Sequence, residues 1–187
     1  MPASLTAYYI APADAIELLR ADHDRIRKLF ADFERHLEKG ARDKAEETAQ
    51  RICRDVMIHS RVEEEIFYPE TRAALDNADL VKEAKVEHAL ANYLIGQVAS
   101  GSLADAKFAA RVRVLAACMQ RHMREEDDVM FVRARSTGLD MGEIGARIAA
   151  RKHDLQIEMD LVEDRNGDRR ARGPSRLTVA SGWRRAS

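Results

Sequence analysis

Two His-x-x-x-Glu patterns, each preceded by a lone histidine, are the features of this 187-residue sequence that could support chemistry. The first half of the chain offers His23 and then His59 with Glu63, and the second half repeats that order. Residues four apart lie on one face of a helix, so a histidine and a glutamate at this spacing can converge on one point. Imidazole nitrogens and carboxylate oxygens without a thiolate suit iron, manganese or zinc. The candidate metal ligands are His23, His59, Glu63, His88, His122 and Glu126.

Helices must position these residues, because apolar side chains recur around them at steps of three and four. Around the first histidine the series is Ile16, Leu19, His23, Ile26, Phe30, Phe33 and Leu37. Similar series surround the other three histidines, and such a stripe is the inward seam of a helix packed against antiparallel neighbours. Four stripes with short connections predict an all-α protein, an up-down-up-down four-helix bundle. A looser apolar series after Asp140 predicts an additional C-terminal helix packed on the outside.

Capping residues and glycines divide the chain into helices. The sequence predicts helices from Asp14 to Gly40, over about 41–75 with a kink or early end at Pro69, over about 79–99, from Ser102 to Gly138, and from Asp140 to about 164. Residues 1–13 are expected to form an N-terminal extension, and 14–164 the bundle with its fifth helix. Residues 165–187 carry seven arginines and one aspartate, which predicts a basic, disordered tail.

The buried position predicted for the two glutamates requires a compensating charge. An ionised carboxylate in an apolar interior costs several kcal/mol unless it is paired or bound to a cation. No lysine or arginine occupies the stripes between His23 and Glu126, so a metal ion is the natural partner. Four imidazoles exceed what one such ion normally takes from a protein, and two ions bridged by Glu63 and Glu126 account for the set better than one.

The order His, His-x-x-x-Glu, His, His-x-x-x-Glu over about residues 14–164 resembles the hemerythrin-like, or HHE cation-binding, domain. The short segments around these residues, Asp22-His23-Asp24, Ile66-Phe67-Tyr68-Pro69 and Val129-Met130-Phe131, are also similar to those of this family. The resemblance implies a non-haem centre of two iron ions, which an oxo or hydroxo bridge can join, and dioxygen or peroxide as the small-molecule ligand. It implies that His23 and His59 bind one iron, that His88 and His122 bind the other, and that Glu63 and Glu126 bridge them.

The sequence departs from the oxygen-carrying members of this family at Asn92, where they have a second histidine one turn after the third-helix histidine. The iron at His88 and His122 then lacks one protein ligand unless Glu87, Asn92 or Tyr93 supplies it. This open position favours reaction with peroxide or dioxygen over reversible carriage. Carriers also place the last carboxylate five residues after its histidine, which would be Asp127, but Glu126 lies on the stripe and is preferred. Four further acidic residues, Glu64, Glu65, Glu125 and Asp128, are expected on solvent-exposed faces.

Two other functions stay open from the sequence: a sensor of iron, oxygen or nitric oxide that signals through the fifth helix or tail, and a metal-binding module without catalysis. Whether the protein is an enzyme, and its oligomeric state, are left undecided. A zincin would need His-Glu-x-x-His and a ferritin-like site Glu-x-x-His, and neither order occurs around these residues. The two cysteines and the lack of a long apolar run or a secretory signal predict a cytoplasmic protein without membrane or specific nucleic-acid partners.

Overall fold

The computed structural model of the chain describes residues 14–72 and 78–171, and within these ranges the chain is helical. Its α-helices are α1 (Ala15–Glu38), α2 (Arg42–Val62), α3 (Tyr68–Arg72), α4 (Ala78–Ala99), α5 (Phe108–Glu125), α6 (Phe131–Arg135) and α7 (Met141–Ala171). The predicted extension 1–13 and residues 172–187 of the predicted tail lie outside the described residues, whereas residues 165–171 continue α7. No helix of the described part is long and apolar enough to cross a membrane.

Four helical rods form the bundle, and a fifth helix lies against two of them. The rods are α1, α2 continued by α3, α4, and α5 continued by α6, with α1 packed on α2, α4 on α5, and α2 on α4. Helix α7 packs on α1 and α2. The predicted four-helix bundle with an additional C-terminal helix is therefore confirmed.

Local capping explains where most helices begin and end. The Asp14 side chain accepts hydrogen bonds from the backbone N–H groups of Ile16 and Glu17 at 2.9 and 3.2 Å, which caps α1 as predicted. Gly40 follows α1 with a positive φ of 66°, a conformation that favours glycine. The fourth rod begins later than predicted, because the Asp105 side chain accepts a hydrogen bond from the Lys107 N–H in a turn that precedes Phe108.

A turn of π-helix interrupts two of the rods at corresponding places. The segments Glu63–Phe67 and Glu126–Met130 are both π-helical. The Tyr68 N–H donates to the Glu63 carbonyl, and the Phe131 N–H donates to the Glu126 carbonyl. The helix therefore continues past Pro69 to Arg72, with its irregularity one turn earlier than the proline. No proline follows the second π turn, so proline does not explain both turns. Both turns instead begin at a glutamate that faces the interior of the bundle.

The core of the bundle consists of two apolar clusters with a polar layer between them. One cluster joins the start of α1, the end of the second rod, the start of α4, α6 and α7, and it includes Leu19, Phe67 and Ile148. The other fills the opposite end of the bundle around Phe33 and Phe108. On α1 and α4 the predicted metal ligands fall between the residues of these two clusters, and on the other two rods they lie close to the change from one cluster to the other. The fold therefore holds the polar side chains in the middle of the bundle, away from both ends.

Candidate metal centre

All six predicted ligands meet in this polar layer, and their side chains are at most 1% exposed. The Nε2 atoms of His23 and His59 are 3.2 Å apart, and those of His88 and His122 are 3.0 Å apart. A Glu63 oxygen lies 3.3 Å from His59 Nε2, and the second oxygen lies 3.4 Å from His88 Nε2. Glu126 Oε2 lies 3.2 Å from His23 Nε2 and 3.3 Å from His122 Nε2. Each glutamate thus spans the two histidine pairs.

A carboxylate faces the outer Nδ1 nitrogen of each histidine. The four pairs are His23 with Asp127 at 3.1 Å, His59 with Asp22 at 3.5 Å, His88 with Glu64 at 2.9 Å, and His122 with Glu87 at 2.9 Å. Each carboxylate adjoins a predicted ligand in sequence but pairs with a histidine of another helix. The expectation that Glu64 lies on a solvent-exposed face is therefore wrong. Glu63 points into the bundle, and Glu64, the next residue around the helix, points toward α4. Such partners fix the ring orientation and tautomer of metal-binding histidines.

The tautomers imposed by these carboxylates leave the centre short of hydrogen-bond donors. An ionised carboxylate only accepts, so the neutral imidazoles of His23, His88 and His122 carry the proton on Nδ1 and present the Nε2 lone pair to the interior. These lone pairs face one another and the oxygens of Glu63 and Glu126. One oxygen of each glutamate, Glu63 Oε1 and Glu126 Oε2, has no hydrogen-bond partner among the described residues. Buried acceptors that face only acceptors need a cation or extra protons.

The spacing of the inward atoms also fits metal ions. Bonds of about 2.1 Å at right angles place two ligand atoms about 3.0 Å apart, close to the observed Nε2 separations. Two overlapping groups have their ligand atoms within 4.8 Å of one another: His23, His59, Glu63 and Glu126, and Glu63, His88 and His122. Glu63 belongs to both groups, as a bridging carboxylate would. The side chains present therefore fit the binding of metal cations.

The pKa values show how the metal-free centre compensates its charge. Burial lowers the pKa of His23, but hydrogen bonds to Asp127 and Glu126 outweigh it and raise that pKa from 6.5 to about 9. Burial also lowers the pKa of His122, and the Glu126 charge overrides it, so the pKa stands well above 6.5. Burial raises the pKa of Glu126, yet the His122 charge holds it well below 4.5. Without metal, the imidazoles therefore take up protons beside ionised carboxylates.

Two aromatic side chains occupy equivalent places in the two halves of the site. Tyr68 follows Glu63 by five residues and Phe131 follows Glu126 by five residues, each directly after a π turn. The Tyr68 ring stacks on His88 at 5.7 Å between centroids, and Phe131 stacks on His23 at 5.5 Å. The buried Tyr68 hydroxyl donates a hydrogen bond of 2.8 Å to Glu126 Oε1. Sequence reasoning named Tyr68 without a role, and its position five residues after Glu63 was the available signal.

Glu87, Asn92 and Tyr93 were considered as a further ligand for the ion at His88 and His122. The structure puts the three residues in different places. Glu87 binds the outer nitrogen of His122 and pairs with Arg121, so it supports a ligand from outside. Tyr93 is 66% exposed, on the solvent side of α4. Asn92 is half-buried. The Tyr68 hydroxyl, which was not among these candidates, lies 3.5 Å from Glu63 Oε2 and 2.8 Å from Glu126 Oε1.

Comparison with known proteins identifies the family. A model of the hemerythrin HHE cation binding domain matches residues 14–134. The chain belongs to the hemerythrin HHE cation-binding domain family. The match ends within α6, so α7 of this HHE-domain chain lies beyond it. A crystal structure of a hemerythrin HHE cation binding domain-containing protein from Mycobacterium kansasii has the same fold, with a TM-score of 0.62 at 19% identity, over 78% of this chain and 89% of that chain.

A curated relative places a similar domain inside a longer protein. A protein of Nostoc sp. named DNA nickase is 28% identical to this HHE-domain chain over 120 residues, which are 64% of this chain and 33% of the relative. The chain therefore spans about a third of the length of that relative. The nickase activity in that name is an activity of the longer relative.

Proposed function

We propose that this HHE-domain chain binds two iron ions in the polar layer of its bundle and reacts there with dioxygen or peroxide. The observation that carries the proposal is the convergence of six buried histidine and glutamate side chains, in which one oxygen of each glutamate has no hydrogen-bond partner among the described residues. Membership of a cation-binding family supports it. In this proposal His23 and His59 hold one ion, His88 and His122 hold the other, and Glu63 and Glu126 bridge them.

The two positions differ in what the protein supplies. The group around His23 and His59 contains two carboxylates, whereas the group around His88 and His122 contains one. When bound, iron supplies redox chemistry and an exchangeable coordination position for a small oxygen ligand. The second position, which also lacks a histidine at Asn92, is the one we assign to that ligand.

The protein's own side chains bind, orient and exclude water in this proposal. The four outer carboxylates hold the imidazole rings with Nε2 directed inward. Phe67 and Phe131, both 0% exposed, close one side of the layer with apolar surface. The Tyr68 hydroxyl, 2.8 Å from Glu126 Oε1, keeps a proton beside the carboxylates. The burial that raises the Tyr68 pKa well above 10, together with the Glu126 charge, keeps this hydroxyl protonated.

The test is anaerobic reconstitution with ferrous iron, followed by metal analysis and the near-ultraviolet spectrum before and after exposure to air. We expect about two irons per chain and new charge-transfer bands on oxidation. The variant Glu126→Gln should lose iron, and the exposed-site variant His153→Gln should retain it. One ion per chain, or a spectrum insensitive to air, would contradict the proposal and leave a structural metal module that zinc could fill.

Turnover separates the three candidate functions. Peroxide or dioxygen consumption by the iron-loaded protein supports the reactive centre, and Asn92→His should slow it by closing the open position. Unchanged turnover in Asn92→His would show that the open position beside Asn92 has no role in the reaction. A sensor is the second candidate, and the observation that favours it is the contact between α7 and the centre described next.

A further inference from the structure

Helix α7 sends one basic side chain toward the metal centre. Lys152 is 14% exposed, and its Nζ lies 2.5 Å from Oδ1 of Asp22, whose side chain is 1% exposed. Two other basic residues of α7 remain nearer the surface: Arg147 pairs with Glu70 and is 46% exposed, and Arg151 pairs with Glu65 and is 27% exposed. Burying a lysine and an aspartate costs free energy unless the pair is well placed. The burial of Lys152 therefore needs a reason beyond fixing α7 to the surface.

Asp22 connects Lys152 to a predicted ligand. Its Oδ1 accepts from Lys152 and also from Arg25, at 2.9 Å. Its Oδ2 faces His59 Nδ1 at 3.5 Å, and neither of these two atoms has a hydrogen-bond partner among the described residues. Two cations thus hold one oxygen of the carboxylate and direct the other at the imidazole.

This connection sets His59 apart from the other three histidines. The carboxylates Asp127 and Glu87 receive arginines from α1 and α5, which are rods of the bundle itself. Asp22 likewise receives Arg25 from α1, but among the contacts of the described residues it is the outer carboxylate that also receives a cation from α7. Its contact with its histidine, at 3.5 Å, is also the longest of the four. The loosest support of the centre is therefore the one that depends on how α7 is docked.

We propose that Lys152 is a positioning residue for the metal centre, which acts through Asp22 on His59 and couples the docking of α7 to metal binding at the His23 and His59 position. The proposal rests on the proposed metal-binding function. A metal ion on His59 Nε2 requires the proton on Nδ1 and strengthens Nδ1 as a donor to Asp22. Coupling between two binding events is reciprocal, so if docked α7 favours metal, metal favours docked α7.

The test compares Lys152→Met with Arg147→Met, which removes the same charge from the same helix at an ion pair that does not reach the centre. The probe is Co²⁺, added to the metal-free full chain and followed by its visible absorption and by competition with a chelator. Lys152→Met should weaken Co²⁺ binding at the His23 and His59 position up to about 10-fold, because it weakens the hold on Asp22, the direct partner of His59, without removing it. Lys152→Arg should recover most of that loss, and Arg147→Met should bind within about twofold of the unaltered protein.

Hydrogen exchange measured with and without Co²⁺ provides a readout that a purely structural role would not change. In the unaltered protein and in Arg147→Met, Co²⁺ should slow exchange in α1, α2 and residues 144–160 of α7. In Lys152→Met the slowing should persist in α1 and α2 and disappear from α7. Equal Co²⁺ affinity in Lys152→Met and the unaltered protein, or slowing in α7 that survives the substitution, would overturn the coupling alone. An unaltered protein that binds no Co²⁺ would overturn the proposed function and the coupling with it.

Discussion

Raising the pH of the metal-free protein from about 6 to 9 should lower its free energy of unfolding by about 3 kcal/mol through His23 alone. The pKa of this imidazole is raised from 6.5 to about 9 in the folded protein. A group with a raised folded pKa contributes its full stabilisation below the unfolded pKa and loses it as the pH rises through the folded pKa. One pKa unit corresponds to about 1.4 kcal/mol, which gives the stated loss over this window. His88 and His122, whose pKa values are also raised, act in the same direction.

The assay is urea unfolding, followed by circular dichroism with a chelator present, at several pH values between 6 and 9. In the variant His23→Gln the free energy of unfolding should fall less steeply with pH, whatever its absolute value. In His153→Gln, which is altered at an exposed position of α7, it should fall as steeply as in the unaltered protein. With metal bound, the dependence should reverse, because metal displaces protons from its ligands and binds more tightly as the pH rises. A metal-free protein whose stability is flat or rises over this range would refute the reasoning that protons replace the cation.

Three substitutions test other parts of the structure. Asp127→Asn should lower metal affinity about 10-fold in chelator competition, because it removes the partner of a ligand imidazole, whereas the exposed Asp128→Asn should not. Asp14→Ala should cost about 1 kcal/mol in urea unfolding by removing the cap of α1, and metal content should stay the same. Tyr68→Phe should cost about 1–3 kcal/mol in the metal-free protein, because it removes a buried donor to Glu126; an unchanged unfolding midpoint would contradict the importance of that hydrogen bond.

The convergence of the six inward histidine and glutamate side chains could be predicted from the sequence, because helical periodicity alone decides which residues share a face. His59 with Glu63, and His122 with Glu126, needed only the i, i+4 rule, and the apolar stripes gave the phase of each helix. The four outer carboxylates could not be found in this way, since each one points across to a different helix. Glu64 is an example. Its acidic neighbours indicated an exposed face, whereas its contact with His88 depends on how α4 packs against the second rod, which the local sequence does not determine.

Features set by backbone hydrogen bonding were also beyond the sequence. The π turns after Val62 and Glu125 change the hydrogen-bond register by one residue without any glycine to mark them, and Pro69 points to only one of the two. The start of the fourth rod was misplaced for a related reason. Ser102 and Asp105 are good capping residues, but their side chains bond within the turn before Phe108 instead of starting a helix.

The division of the core into two apolar clusters bears on the cooperativity of unfolding. Each cluster contains side chains from all four rods, so each half of the bundle has the contacts of a small core of its own. Between them lies the polar layer, in which the buried oxygens Glu63 Oε1 and Glu126 Oε2 have no hydrogen-bond partner among the described residues. Ions bound there would join four helices at one level and cross-link the halves. In the metal-free protein, amide hydrogen exchange in the half that lacks α7 should therefore be faster than in the other half, through local opening that precedes global unfolding.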